Sequence, residues 1–155
     1  MNRARSPIAA ALFLAIAFAA GAALAAGEEP AGRVKNVEGA AFLVRDGVRA
    51  PAAAGDAVYQ NDTLETGSDG SMGVTFRDES RLALGPDTSL VVDEYVFQPE
   101  GEKSFVSRLV RGTVLGVSGL IAKLSPGSSK METPDGTIGF RGTRYLVKLV
   151  PRGGA

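Results

Sequence analysis

From residue 33 onward, apolar and polar positions alternate in short runs that turn-forming residues interrupt. Residues 34–37 and 41–44 read as strands, and the Asp46-Gly47 pair that follows is a hairpin dipeptide. Small residues at 51–54 make a connection to Gly55-Asp56. Val58 and Tyr59, then Thr63 and Leu64, flank Asn61-Asp62. Met72, Val74 and Phe76 take every second position over 71–76 and so share one face of a strand. After a turn at 78–80, Leu82 and Leu84 repeat that alternation, and Gly85-Pro86-Asp87 turns the chain again. Residues 89–97, rich in Val, Leu, Tyr and Phe, predict another strand, followed by a charged loop at 98–103. Residues 104–117 hold Phe105, Val106, Leu109, Val110, Val114, Leu115 and Val117, interrupted by Gly112 and Gly116. The run at 120–124 is too short to declare a period, so strand and one helical turn both stay open.

The stretch at 133–150 organises the end of the chain. Pro134, Asp135 and Gly136, then Gly139, then Arg141-Gly142, are turn residues and bare backbone set among apolar residues. Beyond them Tyr145, Val147 and Leu149 point one way, and Arg144, Leu146 and Lys148 the other. That predicts a strand, a turn, a short strand, a sharp bend and a closing strand with one dry face. Turn signals recur about every 8 to 12 residues, and no apolar stripe at helical spacing lasts three turns. The fold class is therefore all-β: a single compact domain of many short strands with tight turns. A solenoid-like stack and a sandwich both satisfy the pattern, and no strict internal repeat separates them.

Residues 1–26 read as a signal peptide. Arg3 and Arg5 form a basic start, residues 8–20 are apolar, and Ala23-Leu24-Ala25 places cleavage near Ala25 or Ala26. An uncleaved anchor is the alternative, since residues 8–26 just reach membrane-spanning length. Residues 27–32 follow as a polar, flexible lead-in, 33–150 as the all-β domain and 151–155 as a disordered tail. After the leader about 130 residues remain, enough for one core. The chain has 17 basic and 17 acidic side chains; without Arg3 and Arg5 it has 15 and 17, a net charge of −2. No long-range basic field is left to hold nucleic acid or an anionic membrane surface. The expected location is periplasmic or secreted, with no membrane insertion once the leader is removed.

The chain contains no His and no Cys, which removes Ser-His-Asp and Cys-His catalysis, disulfides and the usual zinc and copper sites. Ser107, Ser118, Ser125 and Lys123 are present without a spacing that sets a nucleophile beside a base. Asp56, Asp62, Asp69, Asp78 and Asp87 each sit in a turn, where aspartate caps backbone amides, and no calcium-loop spacing is found. Glycines every third residue from Gly136 to Gly142 precede a strand pattern rather than the helix a phosphate site needs. No enzyme activity, cofactor or metal is expected. Arg141 lies between Phe140 and Gly142 just before the closing strand. It is expected to tie two turns together, through backbone carbonyls or an aspartate such as Asp62, so Arg141→Ala would lower the melting temperature.

The segment running from Gly55-Asp56 through Asn61-Asp62-Thr63-Leu64-Glu65-Thr66-Gly67 to Ser71 resembles the central motif of the FecR-type domain. Arg111-Gly112-Thr113, Ser118-Gly119-Leu120 and Thr133-Pro134, with Gly139-Phe140-Arg141-Gly142-Thr143, are similar to its C-terminal signature. One departure is Asp78-Glu79-Ser80, where the family often has Asp-Gly-Ser. The resemblance implies an exported, non-catalytic binding module, a periplasmic protein-interaction or signal-input domain. An unknown envelope protein is the implied partner. The best-known members are inner-membrane regulators whose cytoplasmic segment controls a sigma factor. Only seven residues precede the apolar leader here, so no sigma-factor contact is expected. Asp62, Thr63, Thr66, Gly67, Thr133, Pro134, Gly139, Arg141, Gly142 and Thr143 are the signature positions, mainly structural and with partner contact open. The alternative function is a structural or polysaccharide-associated envelope protein, against which stand the lack of Trp and the presence of only three Tyr.

Overall fold

In the computed structural model, which describes residues 27–151, the alternating pattern becomes thirteen strands and one short helix. In chain order they are β1 (Gly32–Glu38), β2 (Ala41–Arg45), β3 (Val48–Pro51), β4 (Ala57–Val58), β5 (Thr63–Thr66), β6 (Ser71–Phe76) and β7 (Arg81–Leu84). Then come β8 (Ser89–Phe97), β9 (Lys103–Arg111), β10 (Thr113–Val117), α1 (Leu120–Leu124), β11 (Ser129–Thr133), β12 (Gly136–Gly139) and β13 (Arg144–Lys148). The predicted leader and residues 152–155 of the predicted tail lie outside the described residues. Among the described residues no helix is long and apolar enough to cross a membrane.

The strands form two sheets, ordered β13-β10-β7-β6-β1-β4 and β12-β11-β9-β8-β5-β2-β3. Neighbours run antiparallel except β9 and β11, which are parallel. Met72, Val74, Phe76, Leu82, Leu84 and Val114 of the first sheet share one core with Leu64, Leu90, Val92, Leu109 and Met131 of the second. Phe76 crosses the layer to stack 5.5 Å from Tyr95 and to lie tilted against Phe105 at 4.6 Å, measured between ring centroids. The period-two runs thus place their apolar sets between the sheets, which is what sets the register.

This settles the choice between stack and sandwich: the layers are those of a sandwich, wound as a solenoid would be. In each sheet the strand order nearly follows the sequence from the β4 and β3 edges to the β13 and β12 edges. Short crossings carry the chain back and forth between layers, so pairing stays close in sequence without any repeat of residues. Three local features differ from, or complete, the pattern reading. Residues 48–51, read partly as a connection, form edge strand β3, all four exposed and so without alternation; Pro51 is tolerated because it lies on an edge. Residues 120–124 are helical. The lead-in is anchored from Glu29 on, whose carboxylate lies 2.8 Å from the Arg77 guanidinium, and Ala31 is buried.

Candidate interaction surface

The signature positions divide into a buried set and an exposed set. Asp62 has no exposed surface, and its carboxylate accepts from Arg45 Nε and Nη2, both at 2.7 Å, and from the Tyr59 N–H at 2.8 Å. The turn before β5 is thereby fixed to β2. The Arg45 guanidinium also lies 4.4 Å from the Tyr59 ring centroid, and its bond to Asp62 raises its pKa above the ordinary value. Thr66 is buried: its hydroxyl donates to the Gly85 carbonyl at 2.6 Å and accepts from the Thr88 N–H at 3.0 Å. The Gly67 N–H donates to the Ala40 carbonyl, and the Gly67 carbonyl accepts from the Gly70 and Asp87 N–H groups. Thr63 lies between Val44 and Val91 on the outward side of the second sheet.

Asp78, which the sequence pattern presents as an ordinary turn residue, is a buried hub. Its carboxylate accepts from the Tyr95 hydroxyl at 2.9 Å, the Ser80 hydroxyl at 2.6 Å and the Ile121 N–H at 3.3 Å. Its own N–H donates back to the Tyr95 oxygen at 2.9 Å, and its carbonyl accepts from Leu120. One aspartate thus joins the β6–β7 turn, β8 and the start of α1. Burial, and then the charge of Asp78, push the Tyr95 pKa far above the usual tyrosine value. Gly119 completes the junction, because a Cβ there would overlap the Asp78 carbonyl and the Ser80 amide. No sequence signal reveals Asp78 by itself. Its burial beside Tyr95 follows from the layer packing.

The C-terminal signature positions lie at the surface. Thr133 closes the β11–β12 turn, its hydroxyl donating to the Gly136 carbonyl at 2.9 Å, with Pro134 exposed in that turn. Gly139, paired with Lys130, ends β12, and the chain then crosses from the second sheet to the first. Phe140 is buried, stacked 3.7 Å from Tyr145. Gly142 has φ +73°, and the Thr143 N–H donates to the Ser118 hydroxyl at 2.7 Å. Arg141 does not make the expected tie. It is exposed, among the described residues no hydrogen bond or ion pair reaches it, and Asp62 holds Arg45 instead. Arg141 lies in the bend between β12 and β13, where Phe140 takes the buried place against Tyr145 and the Arg141 side chain is left at the surface.

The bend delivers β13 to the edge of the first sheet, whose outward face is chemically lopsided. The register aligns Leu146, Leu115 and Ala83 in one row and Arg144, Val117, Arg81, Thr75 and Arg33 in the next. Leu146 is 65% exposed, Leu115 45% and Val117 38%. Ala83 is small, and a groove of about 220 Å³ lies on this face, lined by Lys35, Asn36, Arg81, Leu115 and Val117. Among the described residues none of Arg33, Lys35, Arg81, Arg144 and Lys148 forms an ion pair. The outward face of the second sheet contrasts with this. There Arg49 bonds Glu65 at 2.9 Å, and Arg108 bonds Asp93 through two nitrogens, which raises the Arg108 pKa. On the outward face of the first sheet, unpaired basic charge lies beside exposed apolar side chains, a combination suited to a partner.

Other sites offer less. A cleft of about 330 Å³ is lined by Arg45, Tyr59, Gln60, Asn61 and Asp62, and in it Arg45 and Asp62 are already bonded to each other while the Gln60 side-chain carbonyl accepts from the Tyr95 N–H. Among the described residues no cluster of His, Cys, Asp and Glu is arranged to hold a metal ion.

Comparison with curated proteins and with solved structures gives no match. A family model described as FecR protein matches residues 62–154, from the Asp62 clamp through the bend and past the closing strand. That span covers more than half of the chain and takes in both the buried network and the basic, apolar edge, so the chain belongs to the FecR family.

Proposed function

We propose that this chain is an exported FecR-type module working in the periplasm as a signal-input domain, and that it acts by binding an envelope protein rather than by catalysis. Family membership supports the regulatory, periplasmic setting. The observation that carries the binding reading is the outward face of the first sheet. Leu115, Val117 and Leu146 lie exposed among basic side chains without acidic partners, continuous with the signature bend at Arg141-Gly142. Leaving apolar side chains in water costs about 25 cal/mol per Å² of apolar surface, and a matching protein surface recovers that. Residues 1–26 supply export, and amino-terminal sequencing of the periplasmic protein should begin after Ala25 or Ala26.

The test is photo-crosslinking in intact envelopes with a reactive side chain at position 115, and at position 65 on the opposite face as control. A discrete protein adduct from position 115 and none from position 65 is the expected result. Equal labelling from both faces, or none from either, removes the binding reading.

A further inference from the structure

We infer that the open edge of β13 is a strand-addition site for an extended segment carrying acidic, apolar and acidic side chains at alternate positions. This rests on the protein-binding reading above and specifies the partner's chemistry. The backbone bonding of β13 decides which of its groups are available. The Ser118 N–H donates to the Thr143 carbonyl and the Leu149 N–H donates to the Gly112 carbonyl. With Tyr145 opposite Gly116 and Val147 opposite Val114, the odd-numbered residues of β13 therefore direct their amides at β10. The N–H and C=O groups of Arg144, Leu146 and Lys148 point the other way, and β13 ends its sheet.

The same parity governs the side chains. Arg144, Leu146 and Lys148 lie on the outward face, so a strand added along this edge sets its own outward side chains directly beside basic, apolar and basic neighbours. An apolar residue opposite Leu146 extends the row it forms with Leu115. Acidic residues on either side of it meet Arg144 and Lys148, which lack ion-pair partners among the described residues.

The charges also decide against a second copy of this chain. Antiparallel pairing of β13 with itself, centred on Leu146, puts Arg144 opposite Lys148 twice, and like charges directly opposite oppose pairing. A membrane surface is the weaker fit, because it leaves the edge N–H and C=O groups without partners. A strand satisfies them while reading the side-chain pattern, as in other cases of strand addition to an exposed sheet edge.

The probe is a synthetic peptide with Glu, Leu and Glu at alternate positions separated by Thr, compared with one carrying Lys for Glu. The Glu peptide should bind and should slow hydrogen exchange at the amides of Arg144, Leu146 and Lys148. Arg144→Glu with Lys148→Glu should weaken that binding by about tenfold and transfer preference to the Lys peptide. Leu146→Pro, which removes only an outward N–H, should abolish it while leaving the β10–β13 bonds in place. Absence of Glu-peptide binding, binding indifferent to the charge reversal, a β13-dependent dimer, or preference for phosphatidylglycerol vesicles would each overturn the proposal. If position 115 crosslinks a partner and the charge-reversed protein does so equally, the edge pairing falls and the protein-binding reading stands. If the peptide behaves as described and no envelope protein crosslinks, the edge chemistry stands and that reading falls.

Discussion

At Asp62 and Asp78 a carboxylate is withdrawn completely from water, and the two sites differ in what surrounds it. Asp62 faces an arginine whose side chain is 45% exposed, so Arg45 returns to water if its partner is lost. Asp78 faces buried groups, the Tyr95 hydroxyl, the Ser80 hydroxyl and the Ile121 N–H, which have no such refuge. An unsatisfied buried polar group costs about 1–3 kcal/mol. Asp78→Ala should therefore destabilise by about 3 kcal/mol or more and Asp62→Ala by about 2 kcal/mol. Chemical denaturation of the two variants side by side checks the order, and an Asp62 variant costing more than the Asp78 variant contradicts it. Arg141 belongs at the opposite extreme. Exposed and unengaged among the described residues, its replacement by Ala should move stability by less than about 0.5 kcal/mol, with an unchanged melting curve. The rule that aspartate favours turns identified both acids as turn residues. It was silent on burial, because two of the partners of Asp78, Tyr95 and Ile121, lie 17 and 43 residues away in sequence.

At the scale of elements, the junctions carry more information than the strands. Helix α1 has five residues, far below the length at which a helix persists by itself. It exists because Asp78 receives its first amides through both carbonyl and carboxylate. The preceding turn holds Glu79 at φ +67°, a left-handed conformation costing a residue with a Cβ about 1 kcal/mol. That is the position where the family often has glycine. Glu79→Gly should raise stability by about 0.5 kcal/mol, the steric relief being partly offset by the greater freedom of glycine in the unfolded chain. A lower midpoint in thermal melting would show that Glu79 contributes something its backbone angle conceals. Strand β13 is the second informative element. Its period-two pattern was legible, with Tyr145, Val147 and Leu149 half-buried against the core and Leu146 outside. That β12 and β13 belong to different sheets was not legible, because a bend of four residues serves a hairpin and a layer crossing equally well.

For the whole molecule, one consequence of the two-layer packing is a dependence of stability on alkaline pH. Burial first, and then the charge of Asp78, raise the pKa values of Tyr95 and Tyr145 well above the ordinary tyrosine value. Below about pH 10 both tyrosines are protonated in folded and unfolded chains alike, and their contribution is fully present. Above about pH 10 the unfolded chain releases protons that the folded one retains, so stability falls with rising pH. Melting temperatures compared between about pH 8 and about pH 11 should fall, and fall less steeply in Tyr145→Phe. An identical decline in that variant would assign the effect to other groups. The second whole-molecule consequence is electrostatic. A chain close to neutral overall nonetheless presents one sheet face with uncompensated basic charge, a separation of charge that no net value records.

Alternation of apolar residues with a period of two, broken by Gly, Asn, Asp and Pro, was enough to determine an all-β body and most of its inward-facing side chains. Those properties depend on each residue and its near neighbours, and the sequence carries them directly. Which strands share a sheet, that Asp78 is buried beneath Tyr95, that Asp62 takes Arg45 and not Arg141, and that basic side chains gather beside Leu115 and Leu146 were decided only by the tertiary structure. Each of these depends on the register of strands distant in the chain, and register is fixed when the two apolar faces meet and exclude water between them.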